Sequence, residues 1–268
     1  MSTIPASLVK ELRDQTGAGM MDVKRALEEA DGDLDAARRL LREKGMAQAG
    51  KRAGRETSEG TVLVTIGGTT GTIVAVGCET EPVSKNEEFL AFAEAALETV
   101  EEGGPDAVES LEQVRTDLVG KLGENIVVRG AARLESAEGE MLAEYVHPPA
   151  NKIGVLVKVR GENPPAARRL AMHISFAAPQ WAMRGDVPAE AVSAEREVYL
   201  GSDEVQSKPE QAREKIVEGM LNKRFFAASP GGVLAEQQWI HDTAKTVEQA
   251  LSEEGLELVS FERFALGD

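Results

Sequence analysis

The sequence predicts an α+β protein: a short helical module, a linker, and a two-part core of antiparallel sheets and helices carrying an inserted helical-hairpin arm. Three observations support this. Apolar residues recur at helical spacing through the first 45 residues, strict alternation replaces that period after residue 60, and a hairpin-then-helix order returns about 80 residues later.

Taking the elements in order, Ala6, Leu8, Val9 and Leu12 make a first helical stripe. Val23, Ala26 and Leu27 make a second, and Leu34, Ala37, Leu40 and Leu41 a third. A three-helix module over residues 1–45 follows, with Met20 and Met21 at its first corner, just after Thr16-Gly17-Ala18-Gly19. Methionine is flexible and polarizable, so an exposed pair here marks a contact surface, whereas a buried pair fills core. Both readings stay open on these residues alone. Residues 46–60, with Lys51, Arg52, Gly54, Arg55, Thr57 and Ser58, lack an apolar period and read as a linker.

The next segment, 61–140, begins with alternation in Thr61 to Ile66, a glycine-rich turn at Gly67 to Gly71, and alternation again in Thr72 to Val76, a β-hairpin. A helix follows with Phe89, Phe92, Ala93 and Ala96 on one stripe, and Ser84 with Glu87 is expected to cap its start. A charged helix is expected from 106 to 119, then a turn at Lys121 to Asn125.

The segment 141–268 repeats this order: strand Met141 to Val146, turn His147 to Lys152, strand Ile153 to Val159, helix Ala166 to Ala177. Duplicated subdomains are the simplest account. Residues 188–226 are strongly charged, with helical stretches Ala191 to Leu200 and Pro209 to Phe225 around a break at Gly201-Ser202-Asp203. Ile216, Val217, Met220 and Leu221 give a narrow seam, which predicts a projecting coiled-coil arm rather than core. Leu256 to Phe264 is expected to return as an edge strand of the second sheet.

Composition narrows the function classes. With 268 residues and 42% hydrophobic content the chain has room for more than one domain. Its net charge is −16, 46 acidic against 30 basic, although residues 1–55 are near neutral with 11 Lys/Arg and 9 Asp/Glu. Such acidity repels phosphate backbones, so direct nucleic-acid binding is not expected. No run approaches the roughly 18 apolar residues of a membrane helix, and Met1-Ser2-Thr3-Ile4-Pro5 lacks signal-peptide features. A soluble, cytoplasmic protein that makes no membrane contact is expected. The single cysteine, Cys78, excludes an internal disulfide framework and a cysteine-based zinc cluster.

An enzyme reading would need Cys78 with His147 or His173 as a thiol-imidazole pair. Cys78 follows an apolar strand and reads as a small core hydrophobe, and His173, among Ala171, Met172 and Ile174, reads as a core histidine. His147 lies in a polar turn beside Pro148 and Pro149 and is the better contact candidate, with a plain turn residue as the alternative; His241 reads as surface. Three dispersed histidines give no metal-ligand spacing, and no Gly-Lys-Ser/Thr follows Gly67-Gly68 to make a phosphate loop. Neither an enzyme nor a cofactor is expected.

Longer strings carry a resemblance. The stretch Leu12 to Leu27 contains Leu12-Arg13, Thr16-Gly17-Ala18-Gly19, Met20-Met21 and Lys24-Arg25-Ala26-Leu27. Further strings are Cys78-Glu79-Thr80, Val83-Ser84-Lys85-Asn86, Lys121-Leu122-Gly123-Glu124-Asn125-Ile126, Tyr145-Val146-His147, Ile153-Gly154-Val155-Leu156-Val157, Ala171-Met172-His173, Val217-Glu218-Gly219 and Thr246-Val247. Together these resemble the elongation factor Ts family over nearly the entire chain. The resemblance implies a guanine-nucleotide exchange factor that binds elongation factor Tu with GDP, disturbs its magnesium and phosphate site, and promotes GDP release so that GTP can rebind. It implies partner contacts at Arg13, Met20, Met21, Lys24, Leu122, Gly123 and His147, and magnesium dislocation on the partner by Thr80, Glu81, Pro82 and Val83.

Two departures stand out. Where the family loop reads Thr-Asp-Phe-Val, this chain reads Thr80-Glu81-Pro82-Val83. The aromatic wedge is missing and the acid is one methylene longer, so a push shared among Glu81, the Leu122 turn and His147 is expected. The sequence also ends at Asp268, just after Phe261-Glu262-Arg263-Phe264, where some relatives add a C-terminal helical module, so that contact is not expected. The N-terminal module is similar to ubiquitin-associated three-helix domains as well, which makes a non-exchange protein-binding adaptor the alternative. Stoichiometry, whether a homodimer or a 2:2 complex forms, is not fixed by the sequence.

Overall fold

The computed structural model describes residues 4–267, so what the sequence places on Met1, Ser2, Thr3 and Asp268 lies outside the described residues. The three apolar stripes form α1 (Ala6–Thr16), α2 (Met20–Glu29) and α3 (Leu34–Arg52) around buried Leu12, Val23, Ala26, Leu27 and Ala37. Gly17, at φ 63°, closes α1 by donating its N–H to Arg13 O, a left-handed position that suits a residue without Cβ. The Asp33 carboxylate caps α3 by accepting the N–H groups of Asp35 and Ala36 at 2.9 Å.

The first sheet has β1 (Glu59–Gly67), β2 (Thr70–Cys78) and β3 (Ile126–Glu135) in that order, all antiparallel. Between β2 and β3 run the one-turn α4 (Glu81–Ser84), α5 (Glu87–Gly103), a 3₁₀ stretch Pro105–Leu111 and α6 (Glu112–Leu122). The second sheet has β4 (Glu140–Val146), β5 (Ile153–Arg160) and, far along the chain, β8 (Glu257–Ala265), in the order β4-β5-β8. Before β8 come α7 (Pro164–Ala177), α8 (Ala189–Gly201), α9 (Asp203–Gln206) and α10 (Glu210–Met220). The short hairpin β6 (Gln238–Trp239) and β7 (Asp242–Thr246) and then α11 (Val247–Glu253) complete the path. In both sheets a third strand returns to pair with the second strand of a hairpin.

The two sheets stack face to face on Val62, Ile73, Ala75, Leu156 and Leu266. Outside them, α5 lays Phe89, Phe92, Ala93 and Ala96 over Val76 and Cys78, and α7 lays Ala167, Leu170, Ala171 and Ile174 over Val155, Val157 and Val159. Glycine is required at two positions where one sheet packs directly on the other. A Cβ on Gly154 would overlap Val62 Cγ1, and one on Gly71 would lie 2.8 Å from Leu156 Cδ1.

Several expectations change. Helix α3 runs through half of the expected linker, because Ala49 buries against the first sheet's helices and Arg52 Nη1 donates to Val119 O at 3.1 Å. Docking, not local propensity, extends it. Asn86 caps α5, its Oδ1 accepting from Glu88 N–H at 2.9 Å, while Ser84 closes α4 through its hydroxyl on Glu81 O at 2.7 Å. The charged helix starts as the 3₁₀ stretch and reaches Leu122. Strand β3 follows the turn at Lys121 to Asn125, where the sequence pattern marks no strand. The arm carries a small core of its own: Val205, Val217, Met220, Leu221 and Phe226 form a buried cluster with Val233 and Ala235, flanked by Trp181. Part of that cluster comes from outside 188–226, which is why the local seam looked too narrow.

Candidate functional site

The site is built from the turns that leave β2, α6 and β4. Cys78, the last residue of β2, faces Glu59 on one side and Ile126 on the other. The chain then bends through Glu79 and Thr80 into α4. Glu124, just past the end of α6, holds that bend: its carboxylate accepts the N–H of Glu79 at 3.1 Å, the N–H of Thr80 at 2.9 Å and the Thr80 hydroxyl. In return the Glu79 carboxylate accepts the N–H of Asn125 at 2.6 Å, and Asn125 Nδ2 donates to Arg55 O at 2.9 Å. The Cys78 thiol donates to Thr80 O at 3.3 Å. Two turns 45 residues apart thus exchange carboxylates for backbone donors in both directions, and charge-assisted bonds of this kind are the stronger class.

Thr80, Glu81 and Pro82 are exposed and Val83 is half-buried against the cluster beneath α5. The segment is a helical turn rather than an open loop, and Pro82 fits because N–H groups in a first turn have no intrahelical acceptor. Lys85 Nζ sits 2.6 Å from Glu81 Oε1 and holds that carboxyl below its usual range. Gly123, at φ 80°, ends α6 by donating to Val119 O at 3.0 Å. Leu122 is half-buried on the same cluster as Phe89, so much of its side chain is core and only part can face a partner.

Met20 is 58% and Met21 60% exposed at the start of α2, which rejects the core reading within this chain. Arg13 is exposed on the last turn of α1, and Lys24 lies 3.7 Å from Glu28. The turn before the methionines sits against α6: a Cβ on Gly17 would overlap Lys121 Cε, and Lys121 pairs with Glu88.

His147 is exposed, with Nδ1 3.0 Å from the Tyr145 hydroxyl. Its turn is closed by His147 N–H donating to Ile153 O at 2.9 Å and Asn151 N–H donating to His147 O at 3.1 Å. The turn is then tied to the first sheet by Val62 N–H on Asn151 O at 2.7 Å and by Lys152 Nζ on Glu59 at 2.6 Å. Since Glu59 faces Cys78, the segments line up in series: Met20 turn, Lys121 to Gly123, Glu79 to Ser84, then His147. Glu79, Glu124 and Asn125 stand in the strings that carry the resemblance, but no local pattern assigns them a connecting role, and Arg55, Glu59 and Lys152 have no signal of that role at all.

The other candidates have structural duties. Cys78 is fully buried, and burial together with the Glu124 charge pushes its thiol up to about 12, which leaves no thiolate near neutral pH. Among the described residues no group of three His, Cys, Asp or Glu is placed to hold a metal ion. His173 is fully buried, stacked on Trp239 at 5.2 Å. Ile240 N–H donates to its Nδ1 at 3.3 Å, so the ring is neutral with the proton on Nε2, which donates to Gln237 Oε1 at 3.0 Å. Gln237 Nε2 donates in turn to Ala228 O at 2.8 Å, fastening the arm's base to α7.

Burial holds His173 below its ordinary value of 6.5. The unfolded chain therefore binds the extra proton first, and the stabilisation is complete above pH 6.5 and declines as pH falls below it. Melting temperatures at pH 7.5 and 5.5 are expected to differ less for His173→Gln than for the unaltered chain. Equal differences would remove His173 from the acid response.

With this geometry in view, comparison with known proteins is direct. The family model described as elongation factor TS matches residues 79–268. Elongation factor Ts of Idiomarina loihiensis is 39% identical over 275 residues, covering 99% of this chain and 91% of that protein. The Xanthomonas axonopodis pv. citri protein of the same name is 40% identical, covering 99% of this chain and 92% of its own. That of Photorhabdus laumondii is 39% identical, covering 100% and 94%. Matches of this extent mean that the chain belongs to the elongation factor Ts family, the nucleotide-exchange factors of translation elongation.

Proposed function

We propose that the chain is a guanine-nucleotide exchange factor that binds elongation factor Tu with GDP, disturbs its magnesium and phosphate site, and promotes GDP release so that GTP can rebind. The supporting observation is the series of contacts joining the Gly17 turn that leads into the exposed Met20-Met21 pair, the end of α6, the Glu81 turn and the His147 turn. In this reading residues 1–45 dock on the GTPase, with Arg13 and Lys24 beside the methionines. The subdomains 61–140 and 141–268 present the Thr80-Glu81-Pro82-Val83 turn and His147.

Exchange follows by linkage: a factor that weakens nucleotide binding by some ratio is itself weakened by nucleotide in the same ratio. Magnesium bridging phosphate oxygens supplies much of a GTPase's hold on its nucleotide, so displacing its surroundings is an efficient point of attack. Glu81, charged and exposed, can compete for that ion's environment, while Pro82 offers less apolar reach than an aromatic side chain.

The test is release of labelled GDP from elongation factor Tu at saturating factor. Pro82→Ala is expected to lower the maximal rate by no more than about threefold, and His147→Ala by about tenfold, a barrier change of about 1.4 kcal/mol. Abolition of release by Pro82→Ala alone would make that turn the principal disruptor and end the shared-push account. Binding without any acceleration of release would favour the adaptor.

A further inference from the structure

Helix α4 is a single turn of four residues, and an isolated turn of that length has no stability of its own, since the nucleus costs more than one hydrogen bond returns. Its N-cap, Thr80, makes no side-chain capping bond. The hydroxyl that would cap the turn is given to Glu124 instead. The direction in which Glu81, Pro82 and Val83 leave β2 is therefore set from outside the turn.

We propose that Glu124 is a positioning residue for exchange: it fixes the Glu81–Ser84 turn to the end of α6, so that the turn and Gly123 press on the partner as one rigid body. The proposal rests on the exchange reading above and adds the residue that makes it mechanically effective. Glu124 suits the task because its own backbone is held on both sides. Gly123 before it closes α6, and Ile126, two residues on, pairs with Cys78 at the end of β2. The reciprocal bond from Asn125 N–H to the Glu79 carboxylate prevents the bend from rotating about a single contact. Asn125 is 1% exposed, so this second bond is shielded from water.

Misplacement of a group by about 1 Å can cost as much as a hundredfold in rate while overall binding survives. The experiment is stopped-flow GDP release from elongation factor Tu over a range of factor concentrations, with melting temperatures for every variant. Glu124→Ala removes all three acceptor contacts and is expected to lower the maximal rate about tenfold, with the half-saturating concentration within about twofold of the unaltered chain. Glu124→Gln keeps an oxygen for the two N–H groups and can donate its amide to the Thr80 hydroxyl, so it is expected to restore the rate to within about twofold.

A folded Glu124→Ala protein with an unaltered maximal rate overturns the proposal. So does a Glu124→Gln protein as slow as the alanine variant, because charge rather than placement would then be the cause. Should Glu124→Ala not fold, Thr80→Val, which loses only the hydroxyl contact, is expected to reduce the maximal rate about threefold at unchanged half-saturation, and no reduction overturns the proposal equally. Failure of the exchange reading itself looks different: the unaltered chain would then not accelerate release at all.

Discussion

Replacing Met20 and Met21 together by alanine is expected to weaken binding to elongation factor Tu at least tenfold, costing about 2 kcal/mol, while the melting temperature of the free chain stays within about 1 °C. The two halves of that result have separate causes. In the free chain the pair is more than half exposed, and the module's core is completed without it by Leu12, Val23, Ala26, Leu27 and Ala37. Truncation therefore leaves no cavity, and alanine is at least as good a helix former at the start of α2. In the complex the same side chains would supply buried apolar area and adaptable packing at an anchor. Isothermal titration of the double variant measures the first half and a thermal melt the second. An unchanged dissociation constant would remove the methionines from the interface.

Introducing a methyl group at Gly154 is expected to have the largest effect on stability. The new Cβ would overlap Val62 Cγ1 and lie 3.2 Å from Val62 Cβ, between two stacked sheets, and a β-branched neighbour has little rotamer freedom with which to yield. Overpacking of this kind costs about 1–3 kcal/mol. At roughly 2–4 °C per kcal/mol for a chain of this size, Gly154→Ala should melt roughly 2–12 °C lower. Adding Val62→Ala opens space at that contact, so the double variant should lose less than the two single changes added together. Strict additivity would mean that the sheets accommodate the methyl group elsewhere.

Much of the architecture can be read from residue patterns because its elements have a clean period. The stripe Phe89, Phe92, Ala93, Ala96 and the alternations around Gly67 and at Met141 to Val159 are each sufficient locally. Strand β3 is not, since Arg129, Gly130 and Arg133 interrupt any alternation. Gly130 makes sense only once the Phe264 ring is seen 2.8 Å from where its Cβ would be. The end of α3 is illegible locally for the same reason: Ala49 and Arg52 are held by α6, 67 residues away for the Arg52 bond. The candidate site divides similarly. Its exposed members stand in recognisable strings, but the carboxylates that aim them act between Glu79 and Glu124, where no short-range pattern operates. Burial of the methionine pair is not legible in the sequence, because either outcome is compatible with a helix start after a glycine turn.

The late return of β8 sets an order of events during synthesis. Strand β5 pairs with β4 immediately but waits for β8, and Arg160 meets Glu257 across 97 residues. At a ribosomal pace of about 5–20 residues per second, that gap lasts roughly 5–20 s. Throughout it Val155 and Val157 lie on a strand with one open edge, and the inter-sheet layer lacks Leu266. The newborn chain thus presents an apolar strand with one open edge until β8 has emerged, a state in which neighbouring nascent chains can add a strand of their own. Pairings of such long range also slow refolding, so refolding yield should fall with protein concentration more steeply than the stability of the finished protein alone would require.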